Sequence, residues 1–144
     1  MGTANTVIYY LSGAGNSLRI ARDLASRIGN TQLMPLAPVV VDGEIAPEAD
    51  RVGVVFPVIM FGAPTIVSKF LKMVPLGEST YVFAVAANGG MMAGTLGHVS
   101  GLLRSRGHRL ASGFSVVSHR IAKDPVEREE VLEAIAQTVK ERAD

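Results

Sequence analysis

The sequence predicts an α/β fold, in which a five-stranded parallel sheet is covered by helices on both faces. Short apolar, β-prone runs alternate along the chain with segments whose apolar residues recur every three or four positions. The runs are apolar enough for strands that are buried on both faces, as in parallel sheets. The 144 residues suit one domain with one core, so we expect a single domain over residues 1–144.

Five short runs of apolar residues are the predicted strands. The third of these is fully apolar after its first residue, which is typical of a central strand. The predicted strands are Val7–Leu11, Gln32–Leu36, Arg51–Phe56, Thr80–Ala87 and Leu110–Val117.

Segments with helical periodicity separate the strands. The first runs over residues 15–28 and ends at Gly29, and residues 37–50, with two prolines and several acidic residues, predict a loop. Pro64 is placed to open the second helix, the third ends near Gly107, and Asp124 precedes Pro125 as the N-cap of the last. The apolar faces are Leu18, Ala21, Leu24, Ala25 and Ile28; Ile66, Val67, Phe70, Leu71 and Val74; Leu96, Val99, Leu102 and Leu103; and Val131, Leu132, Ile135 and Val139.

Composition excludes several classes of protein. The chain is 48% apolar and 19% charged, which is typical of a globular domain and too hydrophobic for a disordered one. A net charge of +1 gives no reason to expect nucleic acid or an anionic membrane as partner. The absence of cysteine rules out disulfides, thiolate metal sites and iron–sulfur clusters ligated by this chain, and it fits a cytoplasmic protein. The apolar run 52–64 is shorter than the ~20 residues that span a bilayer, and the N-terminus has no signal-peptide pattern.

Loops follow the first, third and fourth predicted strands, where ligands bind in open α/β sheets. The first, "SGAGNS", offers backbone amides, hydroxyls and the positive end of a helix, which together can hold a phosphate without a cationic side chain. It lacks the lysine of a Walker loop and the third glycine of GxGxxG. A capped turn is the alternative interpretation.

The other two loops are apolar or glycine-rich. The stretch "FPVIMFGAP" could form one wall for a flat aromatic ligand, or a buried connection into the second helix. In "AANGGMMAG", two glycines allow close backbone approach and two methionines offer adaptable apolar contact; a flexible loop is the alternative. His98, His108 and His119 have no metal-ligand spacing, and no paired carboxylates or Ser-His-Asp arrangement indicate a catalytic site.

These motifs, taken in order, resemble those of the flavodoxin family. "IYYLSGAGNS" resembles the phosphate loop, and more closely the "YFSGTGNS" opening of the flavodoxin-like domains that often precede a bacterial-type ferredoxin module. "VFPVIMFGAP" resembles the "FPVYxxGxP" loop of that group, and "GLLRSRGHRLASGFSV" is similar to its approach to strand five. The resemblance implies a three-layer sandwich with sheet order 2-1-3-4-5, which binds flavin mononucleotide (FMN) and transfers electrons.

The resemblance also implies three sets of cofactor-binding residues and no catalytic or metal-binding ones. The phosphate set is Ser12, Gly13, Ala14, Gly15, Asn16 and Ser17. The set on one face of the flavin ring is Pro57, Val58, Ile59, Met60, Phe61 and Gly62. The set on the other side is Asn88, Gly89, Gly90 and Met91.

The chain departs from the family at Ile59, where a tyrosine or tryptophan commonly stacks on the ring, and in its near-neutral charge. It also lacks the cysteines of a ferredoxin module. We therefore expect a separate redox partner, either a ferredoxin-type protein or a flavin reductase. Two alternatives stay open at this point. One is an FMN-dependent NAD(P)H or quinone oxidoreductase, and the other is a flavodoxin-like domain that has lost its cofactor.

Overall fold

The five predicted strands form one parallel sheet. A computed structural model describes residues 5–11, 16–44, 48–59, 63–90 and 94–142. Within these ranges the sheet order is β2-β1-β3-β4-β5, and every neighbouring pair is parallel. The predicted sheet and its order are thus confirmed. The strands are β1 (Thr6–Tyr10), β2 (Thr31–Pro35), β3 (Arg51–Pro57), β4 (Tyr81–Asn88) and β5 (Ser112–Val117).

Helices cover both faces of the sheet, because successive strand residues point to opposite sides. On β1, Val7 packs into one core and Ile8 into the other. The first core lies under α2, α3 and α4, and the second under α1, α5 and α6. The helices are α1 (Asn16–Ile28), α2 (Ala37–Val41), α3 (Thr65–Met73), α4 (Thr95–Arg104), α5 (Ser118–Lys123) and α6 (Pro125–Arg142).

Two short helices lie where the sequence predicted none. The predicted loop over residues 37–50 is wrong at its start, because Ala37–Val41 is helical, with Val39 only 2% exposed in the first core. Burial of Val39 outweighs the low helix propensity of a valine run, and a proline in the first helical turn is compatible with the helix. Helix α5 begins directly after β5 and buries Ile121 in the second core.

The helix boundary signals behave as predicted where they are described. Gly29 ends α1 with a φ of +78°, a conformation that glycine adopts without steric cost. The Asp124 carboxylate caps α6, because its Oδ1 accepts hydrogen bonds from the backbone N–H groups of Val126 (3.0 Å) and Glu127 (3.1 Å). No helix in the described ranges is long and apolar enough to cross a membrane.

Ion pairs join α1 to α6 beside the second core. Arg27 donates to Glu129 (2.8 Å) and Glu133 (3.1 Å) on α6, and it lowers the pKa of the Glu129 carboxyl. Asp23 accepts from Arg27 within α1 and from Arg128 of α6 at 2.9 Å. These contacts fix the first half of α6 against the second half of α1.

Candidate functional site

A cleft of about 360 Å³ opens at the carboxyl edge of the sheet, and we call it the main cleft. Because all strands are parallel, β1, β3, β4 and β5 end at the same edge, and the segments that follow them meet there. The volume lies within the ~300–1,000 Å³ that is usual for small-molecule sites. The main cleft is lined by Asn16, Ser17, Pro57, Val58, Ala87, Asn88, Gly89, Ser118, His119 and Ala122.

The structure brings together residues from all three predicted sets. Six of them line the main cleft, namely Asn16, Ser17, Pro57, Val58, Asn88 and Gly89. Two more, Ile59 and Gly90, are described but do not line it. The remaining predicted residues lie outside the described ranges, namely Ser12, Gly13, Ala14, Gly15, Met60, Phe61, Gly62 and Met91.

The first turn of α1 forms one wall of the main cleft. Asn16 is exposed, whereas Ser17 is only 2% exposed. Within the described residues, the Ser17 hydroxyl has no hydrogen-bond partner. The first N–H groups of a helix have no intrahelical acceptor, and the helix dipole makes this end positive. A hydroxyl and backbone amides therefore occur together at this wall, and both can donate hydrogen bonds to an anion.

The end of β3 forms a second, apolar wall. Pro57 pairs with Ala87 across the sheet, and the Val58 N–H donates to the Ala87 carbonyl at 2.8 Å, which holds the start of the following loop against β4. Ile59, the next residue, is 51% exposed. The chain thus leaves a large apolar side chain in solvent next to the main cleft.

The end of β4 is fixed by the carboxamide of Asn88, which is 6% exposed. Its Nδ2 donates to Ser115 Oγ (2.8 Å) and to the Ala86 carbonyl (3.2 Å), and its Oδ1 accepts from the Gly90 N–H (2.8 Å). Gly90 has a φ of +120°, which L side chains rarely adopt. The Asn88 side chain therefore holds the turn in shape. The main cleft is lined at this point by Asn88 and Gly89.

Helix α5 supplies the wall that sequence reasoning missed, through Ser118, His119 and Ala122. The signal that could have found it is positional: residues 118 and 119 directly follow β5, so they lie at the same sheet edge as the other loops. His119, grouped in the sequence with surface histidines, is exposed and also lines the main cleft. It is the one titratable side chain among the described residues of the lining.

The described lining has no pair of acid–base groups, and no group of metal-ligating side chains occurs in the described ranges. The cleft instead offers hydrogen-bond donors at the first turn of α1, an apolar wall at β3 and a tight turn after β4. A site of this kind can bind and orient a cofactor that supplies the chemistry itself. The arrangement is suited to holding and orienting a ligand.

A 2-1-3-4-5 parallel sheet with its cleft at the carboxyl ends of the strands defines a flavodoxin-like fold. No family model and no curated protein sequence matches this chain. Solved structures match it over most of their length. The Streptococcus pneumonia TIGR4 flavodoxin is 19% identical with a TM-score of 0.66, over 92% of this chain and 94% of that one.

Two further solved structures belong to other kinds of flavoprotein. An NADH:FMN oxidoreductase in its apo form is 15% identical with a TM-score of 0.67, over 95% of this chain and 89% of that one. A flavoprotein from Lactobacillus acidophilus NCFM in complex with FMN is 15% identical with a TM-score of 0.56, over 83% and 97%. At these identities the likeness establishes the fold.

Proposed function

We propose that this chain binds FMN in the main cleft and carries electrons to or from partner redox proteins. Ser17 is the observation that carries the proposal. Ser17 is almost fully buried yet lines the main cleft at the first turn of α1, so its hydroxyl and the free N–H groups of that turn can donate to the same ligand anion. Ser17 is also the last residue of the predicted phosphate loop, Ser12–Ser17.

The described lining suits FMN in charge and shape. No carboxylate lines the main cleft in the described part of the chain, and the positive end of α1 faces it, so a phosphate would meet attraction without repulsion. Pro57 and Val58 would contact the flavin ring, and Asn88 would hold the turn at its other side. When bound, FMN supplies the electron-transfer chemistry, and the protein supplies binding, orientation and exclusion of water.

The solved neighbours support the same proposal. One is a flavodoxin and another is a flavoprotein in complex with FMN, and both share the fold over most of their length. The motif resemblance adds that the relevant subgroup is the one that precedes a ferredoxin module. Because this chain has no cysteine, its partner would be a separate ferredoxin-type protein or a flavin reductase. The compartment that we propose is the cytoplasm.

An FMN-dependent oxidoreductase is the second candidate. Ile59 favours it, because a 51% exposed apolar side chain beside the main cleft offers contact area to a small flat acceptor such as a quinone. One solved neighbour is an NADH:FMN oxidoreductase. Steady oxidation of NAD(P)H with a quinone, without any second protein, would favour the enzyme. Dependence on a partner reductase would favour the carrier.

A titration of the purified apoprotein with FMN, followed by flavin fluorescence, tests the proposal. We expect saturable quenching at micromolar protein, with stoichiometry of one flavin per chain. Circular dichroism on the same sample shows whether the protein is folded. A folded protein that gives no saturable quenching would overturn the proposal and favour a flavodoxin-like domain that has lost its cofactor.

A further inference from the structure

A second cavity, of about 200 Å³, adjoins the main cleft, and we call it the side pocket. The two share Asn16, Ser118 and Ala122 as common walls. The side pocket lies between the first turns of α1, α5 and the start of α6. It therefore continues from the end of the main cleft at which we place the FMN phosphate.

Two guanidinium groups line the side pocket, those of Arg19 and Arg128. Arg19 is exposed, one turn after Asn16, and has no ion pair within the described residues. The Arg128 Nη2 donates to Asp23 Oδ2 at 2.9 Å, in a network in which Arg27 and Arg128 face Asp23, Glu129 and Glu133. Arg128 is therefore already paired, and Arg19 is the unpaired cation of the described lining. None of the described residues that line the side pocket is acidic.

Arginine is the side chain best suited to phosphate, because its planar fork donates two parallel hydrogen bonds. The main cleft needs no cation for a single phosphate, since Ser17 and the first turn of α1 supply donors there. Arg19 lines the adjoining side pocket together with Asn16, which also lines the main cleft. The position fits a second phosphoryl group that is joined to the first.

We infer that the side pocket binds the second phosphate of a flavin diphosphate, so that the site accepts flavin adenine dinucleotide (FAD) as well as FMN. The inference rests on the proposed function, because the flavin in the main cleft places the diphosphate. Arg19 is the specificity-determining residue: it contacts the outer phosphate and has no role toward the phosphate of FMN.

Parallel fluorescence titrations with FMN and FAD test the inference on the wild-type protein, Arg19→Gln and Arg22→Gln. Arg22 is a matched control, since it is an exposed arginine three residues along α1 that lines neither cavity. We expect FAD to bind the wild-type protein at least as tightly as FMN. We expect Arg19→Gln to weaken FAD binding about tenfold, with FMN affinity changed less than about threefold. Arg22→Gln should leave the ratio of the two affinities unchanged.

The contrary outcomes are distinct. If FMN binds but FAD binds about tenfold more weakly or worse, the side pocket does not accept the diphosphate and the proposed function stands. The inference is also overturned if Arg19→Gln lowers the affinities for FMN and FAD equally, or if its effect equals that of Arg22→Gln. The arginine would then act only through its general positive charge. If neither flavin binds the folded wild-type protein, the inference and the proposed function fail together.

Discussion

Asn88 at the end of β4 donates a hydrogen bond from its Nδ2 to Ser115 Oγ on β5, at 2.8 Å. The same carboxamide accepts from the Gly90 N–H, so one buried side chain joins two neighbouring strands to the turn that lines the main cleft. A buried amide of this kind is stabilising because all of its bonds are made inside the protein. Its role is to set the shape of the turn before any ligand arrives.

Replacing Asn88 with alanine should therefore affect both stability and binding. We expect the free energy of unfolding to fall by about 1–3 kcal/mol, since the Gly90 N–H and the Ser115 hydroxyl lose their buried partner. FMN affinity should fall by about tenfold, because the turn is no longer held. Urea denaturation and flavin titration measure the two effects. Ser115→Ala is the control: it removes one bond and keeps the turn, so its FMN affinity should stay near that of the wild type.

Ser17→Ala tests the phosphate end of the main cleft. The hydroxyl forms no hydrogen bond within the described chain, so its loss should leave the free energy of unfolding nearly unchanged. FMN affinity should fall about tenfold, whereas the affinity for riboflavin, which has no phosphate, should not change. Ser26→Ala, at an exposed position on the same helix, is the control. An equal loss for FMN and riboflavin would show that Ser17 does not contact the phosphate.

Gly53→Ala tests the packing that keeps the sheet in register. Gly53 on β3 pairs with Phe83 on β4, and a Cβ at Gly53 would lie 2.2 Å from Phe83 Cζ. The aromatic ring is itself fully buried, so it has no free space to move into. We expect the free energy of unfolding to fall by about 1–3 kcal/mol.

Gly97→Ala is the matched substitution for Gly53→Ala. Gly97 lies within α4 and has nothing within 4 Å of the position of its Cβ. Alanine there should raise the free energy of unfolding by about 0.5–1 kcal/mol, through helix propensity alone. Equal effects of the two substitutions in chemical denaturation would contradict the close packing of Gly53 on Phe83.

Tyr9 should make stability depend on pH in the alkaline range. Burial raises the pKa of Tyr9 to about 12, from 10.0, and the ring packs on Phe70 with centroids 4.6 Å apart. The folded state thus keeps the phenol proton to a higher pH than the unfolded chain does. This contribution is complete below pH 10 and is lost as the pH rises from 10 to 12.

The measurement is the free energy of unfolding from pH 8 to 12 for the wild type and for Tyr9→Phe. We expect the wild type to lose more stability than the variant over this range, by on the order of 2 kcal/mol. Parallel curves for the two proteins would mean that the ionisation of Tyr9 is not coupled to folding.

Local sequence signals determined the main elements of this protein. Short apolar runs indicate buried parallel strands. Gly29 and Asp124 mark helix ends, through backbone conformation and capping respectively, and both effects act within a few residues. The alternation of strands and helices, together with the motif resemblance, predicted a site at the carboxyl edge of the sheet. Both the strand order and the location of the main cleft agree with that expectation.

Only the tertiary structure decided the remaining features. Helix α2 depends on the burial of Val39, and α5 on the burial of Ile121, which are contacts with distant parts of the chain. The same packing places His119 in the main cleft and sets Arg19 across the side pocket from Arg128. Sequence alone therefore determined the five strands and the four longer helices, because those preferences are local. The structure decided which side chains share a cavity, because that depends on residues more than 100 positions apart in the chain.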